Sequence, residues 1–141
     1  MPYPTLFRRY LGAIVDGLVV LGAMVGGGLL IADLGPQYTW LRGLWLGFTV
    51  LGYEPLFTSL NATLGQRLAK YRIRQYGDRT RHISIPAAYF RYAIKLALGI
   101  VSFFAMNFNP EQRALHDMAV GSIAITWPPV GEPGTPVDVA A

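Results

Sequence analysis

The sequence predicts an all-α membrane protein with about three transmembrane helices and a small β element on the cytoplasmic face. Three observations lead to this fold class. Apolar residues make up 52% of the 141 residues and charged residues only 14%, against about 25% charged in typical soluble domains. The mean hydropathy is +0.35. Finally, long apolar segments alternate with basic ones, which is typical of a chain that crosses a bilayer several times.

Three apolar segments are candidate spans. Tyr10–Ala32 contains one charge, Asp16, and is long enough to cross a hydrocarbon core of about 30 Å. Gly43–Leu60 contains one charge, Glu54. The third segment, Pro86–Phe108, has a shorter uninterrupted apolar stretch. It therefore either crosses the membrane, lies in the interface, or re-enters the face from which it started.

A signal sequence is the competing interpretation of the first segment. The stretch RRYLG at residues 8–12 loosely resembles a twin-arginine signature. The apolar stretch that follows is longer than a signal core, lacks a small-x-small cleavage site and contains Asp16. A membrane span is therefore favoured.

The positions of lysine and arginine predict the orientation. Residues 61–85 contain six basic side chains and one acid, Asp78, and the N-terminal tail contains Arg8 and Arg9. Two crossings return the chain to its starting side, so both basic segments lie on one face. The positive-inside rule makes that face cytoplasmic. We therefore expect a multi-pass protein of the inner (plasma) membrane with its N-terminus in the cytoplasm.

Short segments outside the spans predict the β element. Residues 70–76, KYRIRQY, alternate basic with apolar or aromatic side chains. Residues 82–85 resume the alternation after a turn at Gly77-Asp78. Residues 121–127, GSIAITW, form a third candidate strand that could pair with the first.

A short helix is predicted between the third span and the last strand. Residues 109–119, NPEQRALHDMA, begin with a capping asparagine and a proline at the first helical position. The helix carries His116 and Asp117, whose side chains point in different directions, with no nucleophile positioned beside them. We expect Asp117 to cap the helix or to form a salt bridge with the basic loop or Arg9.

The remaining composition narrows the function classes. The chain has no cysteine, which excludes a disulfide framework, a thiolate nucleophile and a Cys-based metal site. No catalytic residue, cofactor site or metal ligand set is predicted, so we do not expect an enzyme. Residues 5–127 form one membrane domain, and the Pro/Gly-rich tail 128–141 is predicted to be disordered.

Three sequence blocks carry a family resemblance. The first is R-x-x-x-A-x-x-D, from Arg9 to Asp16; the second is TLGQRLAKYRI; the third is RALHDMAVGS, which contains Asp117. Together and in this order they resemble the RDD family of small bacterial membrane proteins, named for one arginine and two aspartates. The resemblance covers residues 5–127 and assigns the family motif to Arg9, Asp16 and Asp117.

The resemblance implies a multi-span inner-membrane protein, and a transport role has been suggested for the family. One position departs from the family pattern. Gln66 stands where the family usually has lysine.

Four charged side chains lie within the predicted spans. Asp16 lies about 9 Å and Glu54 about 10 Å from the cytoplasmic end of its span. Arg91 and Lys95 lie about 7 and 13 Å deep, so all four fall in one layer. Charges inside spans usually pair, and Asp16 is too far from Arg9 along its own helix. We therefore expect Asp16 to contact Arg91 or Lys95.

Two function classes follow. In the first, the chain is a cation or proton transport protein, or a transporter subunit, whose ion-binding acids are Asp16 and Glu54. Pro55 is expected to kink the second helix beside Glu54 and to free a carbonyl. In the second, the chain is a non-transporting scaffold or accessory subunit whose intramembrane charges only hold the helices together.

The predicted partners are lipid and a second copy of the chain. A bundle of three helices is thin for a transport path, so the transport hypothesis needs a homo-oligomer. The candidate packing motifs are Gly22-x-x-x-Gly26 and Gly43-x-x-x-Gly47, which pack either between copies or within the protomer. The basic segment after the second span is predicted to contact anionic lipid headgroups, at about 1 kcal/mol per residue, rather than nucleic acid. Its residues are Arg67, Lys70, Arg72 and Arg74.

Overall fold

A computed structural model describes residues 3–99 and 101–127. The chain is mostly helical, with one small sheet. In order, the elements are α1 (Leu6–Ala32), a 3-10 turn (Pro36–Tyr38), α2 (Thr39–Gly47), a π-helical turn (Phe48–Gly52), α3 (Tyr53–Leu60), α4 (Leu64–Leu68), β1 (Tyr71–Gln75), α5 (Ile85–Leu98), α6 (Val101–Phe104), a 3-10 turn (Ala105–Phe108), α7 (Leu115–Ala119) and β2 (Ser122–Thr126). The predicted disorder of residues 128–141 lies outside the described residues.

Helix α1 matches the first predicted span. It is one helix of 27 residues, and the Thr5 hydroxyl caps it by accepting the Arg8 N–H at 3.4 Å. Its most apolar stretch has a mean hydropathy of 2.2, and only 11% of that stretch is buried within the chain. The apolar surface of α1 therefore faces outward, as that of a helix in lipid does.

The second predicted span is an unbroken helical segment with a π-helical turn (Phe48–Gly52) in its middle. In this turn the Tyr53 N–H bonds to the carbonyl five residues earlier. In the same register the Val50 carbonyl would need the N–H of Pro55, which proline lacks. The Val50 carbonyl instead accepts the Tyr92 hydroxyl at 2.7 Å. The proline thus distorts the helix through a π-helical turn and leaves a carbonyl for a neighbouring helix.

The third segment is bent. The Ser84 hydroxyl caps α5, and after Leu98 the chain turns by 103° into Val101–Phe108. Gly99 lies at this turn with a φ of +51°, a conformation that glycine adopts readily. Beyond the bend, α7 returns to Arg91 in the middle of α5. A bend of this kind occurs both in a broken span and in a re-entrant segment.

The predicted count of three transmembrane helices is not confirmed. Among the described residues, α1 alone is long and apolar enough to cross a membrane. The count becomes two if the bent pair Ile85–Leu98 and Val101–Phe108 forms one span.

The β element consists of two antiparallel strands. β1 pairs with β2, with Ile73 opposite Ala124, so the first and last predicted strands are confirmed. The predicted strand at residues 82–85 is wrong. Ser84 and the proline after Ile85 provide a helix start, and α5 takes over the end of this segment. The core beneath the sheet is formed by Ala69, Tyr71, Ile73, Ile83, Ala88 and Ala124.

Some glycines lie in close contacts between helices, whereas others have open space around them. A Cβ on Gly65 would overlap the carbonyl oxygen of Gly12, so α1 and α4 meet backbone to backbone. Gly27 lies under the Trp45 ring, whose Nε1 donates to the Ala23 carbonyl at 2.8 Å. By contrast, the glycines of the two predicted packing motifs have open space around them: Gly22, Gly26, Gly43 and Gly47. Those motifs therefore do not pack within the described part of the protomer.

Candidate functional site

Asp117 lies between two buried arginines. Helix α7 places its carboxylate beside α1 and α5, where Arg9 forms an ion pair with one oxygen and the Arg91 Nε donates to the other at 2.8 Å. The side chains of these three residues are at most 5% exposed. The structure thus brings Arg9 and Asp117 together. Buried charges are tolerated only when they are paired and hydrogen-bonded, as these are.

The ionisation of Asp117 follows from these partners. Burial alone would raise the pKa of its carboxyl group, but the guanidinium groups of Arg9 and Arg91 outweigh this effect and hold the pKa well below its ordinary value. Asp117 is therefore a carboxylate at any physiological pH.

His116 is fully buried beside this pair. Its Nδ1 lies 2.5 Å from the Ser102 hydroxyl, and its Nε2 lies 3.4 Å from a guanidinium nitrogen of Arg9. Burial lowers the pKa of His116 to about 2, and the neighbouring arginines, Arg91 among them, act in the same direction. The ring is therefore neutral, and it links α6 and α7 to α1 through hydrogen bonds.

Glu54 completes a continuous network of charges. Its Oε1 lies 2.5 Å from the Lys95 Nζ and 3.6 Å from a terminal nitrogen of Arg91. Since Arg91 also binds Asp117, one chain of ion pairs runs from α1 through α7 and α5 to α3. The structure brings Glu54, Arg91 and Lys95 together in the charge pairs that their depths predict.

Asp16 is held apart from this network by neutral donors. Its side chain is buried, and its Oδ1 accepts the Gly65 N–H at 2.8 Å and the Tyr53 hydroxyl at 3.0 Å. Its Oδ2 accepts the Thr63 hydroxyl at 2.6 Å. Within residues 3–99 and 101–127, no lysine or arginine nitrogen lies within 4.0 Å of this carboxylate.

The expectation that Asp16 contacts Arg91 or Lys95 is therefore wrong. Both bases are bound by other acids. Arg91 is shared by Asp117 and Glu54, and Lys95 is bound by Glu54. The carboxylate of Asp16 faces α3 and α4 instead.

The residues that the sequence did not assign to the site are Tyr53, Thr63 and Gly65. A signal was present in the TLGQR block. Its threonine is a helix N-cap whose hydroxyl accepts the Gln66 N–H, and backbone N–H groups at such a start favour a carboxylate. Gln66 is itself buried and donates to the Thr58 hydroxyl at 2.9 Å. The position at which the family usually has lysine therefore carries a neutral, inward-facing side chain here.

An open cleft of about 520 Å³ lies between α1, α3 and α5. Asp16, Glu54 and Lys95 are its charged lining residues. The other lining residues are aromatic, aliphatic or glycine: Tyr10, Ala13, Ile14, Gly17, Val20, Tyr53, Tyr92, Leu96, Gly99 and Phe103. The cleft thus combines one unpaired acid and one acid–base pair with a largely apolar wall.

Three of the four predicted headgroup residues are at least partly exposed. Arg67 and Lys70 are exposed, and Arg72 is half-buried with its guanidinium 3.7 Å from the centre of the Trp127 ring. A cation over an indole ring is an attractive contact in its own right. Of these residues, Arg67 and Lys70 are free to face an anionic surface.

The headgroup prediction is wrong for Arg74. This side chain is only 5% exposed, and its guanidinium donates to the backbone and side-chain oxygens of Asn61, each at 3.2 Å, and to the Ile73 carbonyl. Burial and the nearby charge of Arg72 lower the pKa of Arg74. The hydrogen bonds of Arg74 to Asn61 join β1 to the end of α3. The side chain of Arg74 therefore points inward, although the alternation along the strand predicts that it points outward.

The apolar helix that faces outward, the buried charges and the small sheet together suggest a small, mostly helical membrane protein. The chain belongs to the RDD family: the model of that family matches residues 3–121, which include Arg9, Asp16 and Asp117. Neither the curated proteins nor the solved structures contain a match. In the described part of the chain, no group of three His, Asp or Glu side chains is placed to hold a metal ion.

Proposed function

We propose that the chain is a multi-pass protein of the inner membrane that exchanges a cation for a proton at Asp16. One observation carries this proposal. Asp16 is a buried acid whose partners are all neutral, and it lines an open cleft. A carboxylate in that position needs a positive charge or a proton, because an uncompensated buried charge is costly.

The contacts of the two candidate acids favour different roles for them. Glu54 is already neutralised by Lys95 and Arg91, so it has less need of an external cation. Asp16 keeps its orientation through the Thr63 hydroxyl and the Gly65 N–H, whether its charge is balanced by a cation or removed by a proton. We therefore place the exchange at Asp16, with Glu54 and Lys95 as the polar wall beside it.

We propose two full crossings and a re-entrant segment as the topology. Helix α1 crosses first, and residues 39–60, about 33 Å long at the helical rise, cross back. The third segment enters from the cytoplasmic face and returns to it. The pairing of β1 with β2 supports this arrangement, because both strands then lie on one side. The basic side chains that precede α5 favour the cytoplasm for that side and for the N-terminus.

Single-cysteine labelling tests this topology, and the chain has no native cysteine to interfere. The exposed positions Gln37, Arg81 and Ala119 are replaced by cysteine one at a time. In intact spheroplasts, a membrane-impermeant maleimide is expected to label Gln37→Cys only. The Arg81→Cys and Ala119→Cys variants are expected to react after lysis. Labelling of Ala119→Cys from outside would show that the third segment crosses completely.

Reconstituted vesicles with an internal pH dye test the transport proposal. An inward gradient of Na⁺ or K⁺ is expected to raise the internal pH in vesicles with the wild-type chain, because protons leave as the cation enters. The Asp16→Asn variant is expected to lose at least 90% of this signal. Asp33→Asn is the matched control, since Asp33 is an exposed acid that caps the other end of the same helix.

Two results would refute the transport proposal. One is a wild-type chain, correctly folded in the vesicles, that moves no protons with any monovalent or divalent cation. The other is an Asp16→Asn variant that transports as fast as Asp33→Asn.

A second function is supported by a different observation. The ion pairs from Arg9 through Asp117, Arg91 and Glu54 to Lys95 join four helices. A chain whose buried charges are paired in this way suits a non-transporting scaffold or accessory subunit. Under this alternative, Asp16→Asn disturbs folding or assembly and the wild-type vesicles show no pH change.

The proposed partners follow from exposed surfaces. The open glycines of α1 and α2 leave room for the close approach of a second copy, which a transport path through so few helices would need. On the cytoplasmic face, the exposed side chains of Arg67 and Lys70 are proposed to contact anionic lipid headgroups.

A further inference from the structure

We infer that the cleft between α1, α3 and α5 binds an amphipathic organic cation, with its positive group at Asp16 and its apolar body along α1 and α5. This inference rests on the proposed role of Asp16 and names a substrate class for it.

The charge of the residues that line the cleft favours a cation. Asp16, Glu54 and Lys95 are the charged groups that line the cleft. Lys95 is bound to Glu54 at 2.5 Å, so these two charges compensate each other. The charges of these three lining residues sum to −1, and among the described residues the carboxylate of Asp16 has only hydroxyl and N–H donors. An anionic amphiphile would bring a second negative charge to the same place.

Aromatic rings line the cleft that contains Asp16. Tyr53 donates a hydrogen bond to Asp16 at 3.0 Å, and Tyr10, Tyr92 and Phe103 line the same cleft. Ring faces attract organic cations, and the attraction is strongest where water is excluded. Small, strongly hydrated metal ions gain less from such a wall.

The rest of the cleft fits an apolar body. Ile14, Val20 and Leu96 form its wall, and its volume of about 520 Å³ lies within the range of about 300–1,000 Å³ for small-molecule sites. Gly17 belongs to the lining, and a Cβ there would meet no other atom within 4 Å. A larger side chain at residue 17 would therefore occupy the cleft without disturbing the packing of the protein.

Two probes of the same shape and opposite charge test the inference. Tetraphenylphosphonium and tetraphenylborate are titrated by equilibrium dialysis against the full chain in nanodiscs, and binding to empty nanodiscs is subtracted. The wild-type chain is expected to bind the phosphonium at least ten-fold more tightly than the borate. The Gly17→Leu variant is expected to lose most of the phosphonium binding. Gly22→Leu, an equally open position of α1 outside the cleft, is expected to keep it.

Asp16→Asn is expected to remove the preference for the phosphonium over the borate, and Gly17→Leu keeps the test valid if that variant misfolds. Equal binding of the two probes by the wild-type chain would overturn the inference, as would unchanged phosphonium binding by Gly17→Leu.

The proposed function is measured separately. If Na⁺ or K⁺ drives proton movement that depends on Asp16 while the phosphonium does not bind, the exchange proposal stands and the organic-cation inference fails. If phosphonium binds as expected and no inorganic cation moves protons, the reverse holds.

Discussion

Replacement of Asp117 by asparagine is expected to lower the free energy of unfolding by about 3–5 kcal/mol, the effect of breaking a buried ion pair by removing one partner. The asparagine keeps the shape of the side chain but removes the charge that two buried guanidinium groups share, those of Arg9 and Arg91. Arg9 would remain buried without a counter-ion among the described residues, and Arg91 would keep only the carboxylate of Glu54, at 3.6 Å. The transition is measured by circular dichroism of the purified protein in mild detergent as denaturant is added.

Asp78→Asn is the matched control for this experiment. Asp78 also pairs with an arginine, Arg81, at 3.2 Å, but the two side chains are 45% and 75% exposed. Exposed pairs contribute little because water and salt screen them, so the unfolding midpoint of Asp78→Asn is expected to equal that of the wild type. Equal midpoints for Asp117→Asn and Asp78→Asn would contradict a stabilising role for the buried pair.

The parts of the fold that follow from local pattern could be predicted from the sequence. Helix α1 is a long apolar segment with a capping threonine just before it, and both features are visible in the letters. The two strands show alternating side chains in the sequence, and their pairing was one of those that the three candidate strands allowed. The salt bridge between Arg9 and Asp117 was also within reach, since the family motif names both residues.

The orientation of each charge around its helix could not be predicted in the same way. Depth follows from counting residues at the helical rise, and Glu54 does contact Arg91 and Lys95, which this count puts in the same layer. The contacts of Asp16 depend on which helix lies opposite, and that is α4, a five-residue helix that the apolar pattern does not reveal. Its approach depends on Gly12 and on the glycine opposite it, so a detail of backbone packing decided the partner of the acid.

Irregular backbone was the other source of error. The turn at Gly99 and the π-helical turn at Phe48–Gly52 change the direction or register of segments that read as continuous apolar stretches. Both arise from residues with special backbone properties, but a glycine or proline in an apolar segment does not indicate how far the chain bends. The number of membrane crossings depends on these bends, and the pattern of charges in the sequence does not reveal them.

Acid is expected to destabilise the protein through His116. The ring is buried and neutral, with a pKa lowered from 6.5 to about 2. Between these two values the unfolded chain binds a proton at His116 that the folded chain does not bind. The free energy of unfolding therefore rises with pH in this window, at up to about 1.4 kcal/mol per pH unit from this one group. The stabilising contribution that comes from keeping His116 neutral is fully present above pH 6.5 and is lost progressively as the pH falls toward 2.

The contribution of His116 is separated from that of the acids by substitution. His116→Asn keeps a hydrogen-bonding side chain beside Ser102 but cannot titrate, so its unfolding free energy is expected to be lower at pH 8 and to fall less steeply between pH 6.5 and 5. His82→Asn changes an exposed histidine and is expected to follow the wild-type curve. Denaturant titrations at half-unit pH steps give the three slopes.

If the slope of His116→Asn equals that of the wild type, the buried ring accepts a proton in the folded state. The hydrogen bonds from His116 to Ser102 and Arg9 would then have to rearrange, because a charged ring cannot accept from the guanidinium group.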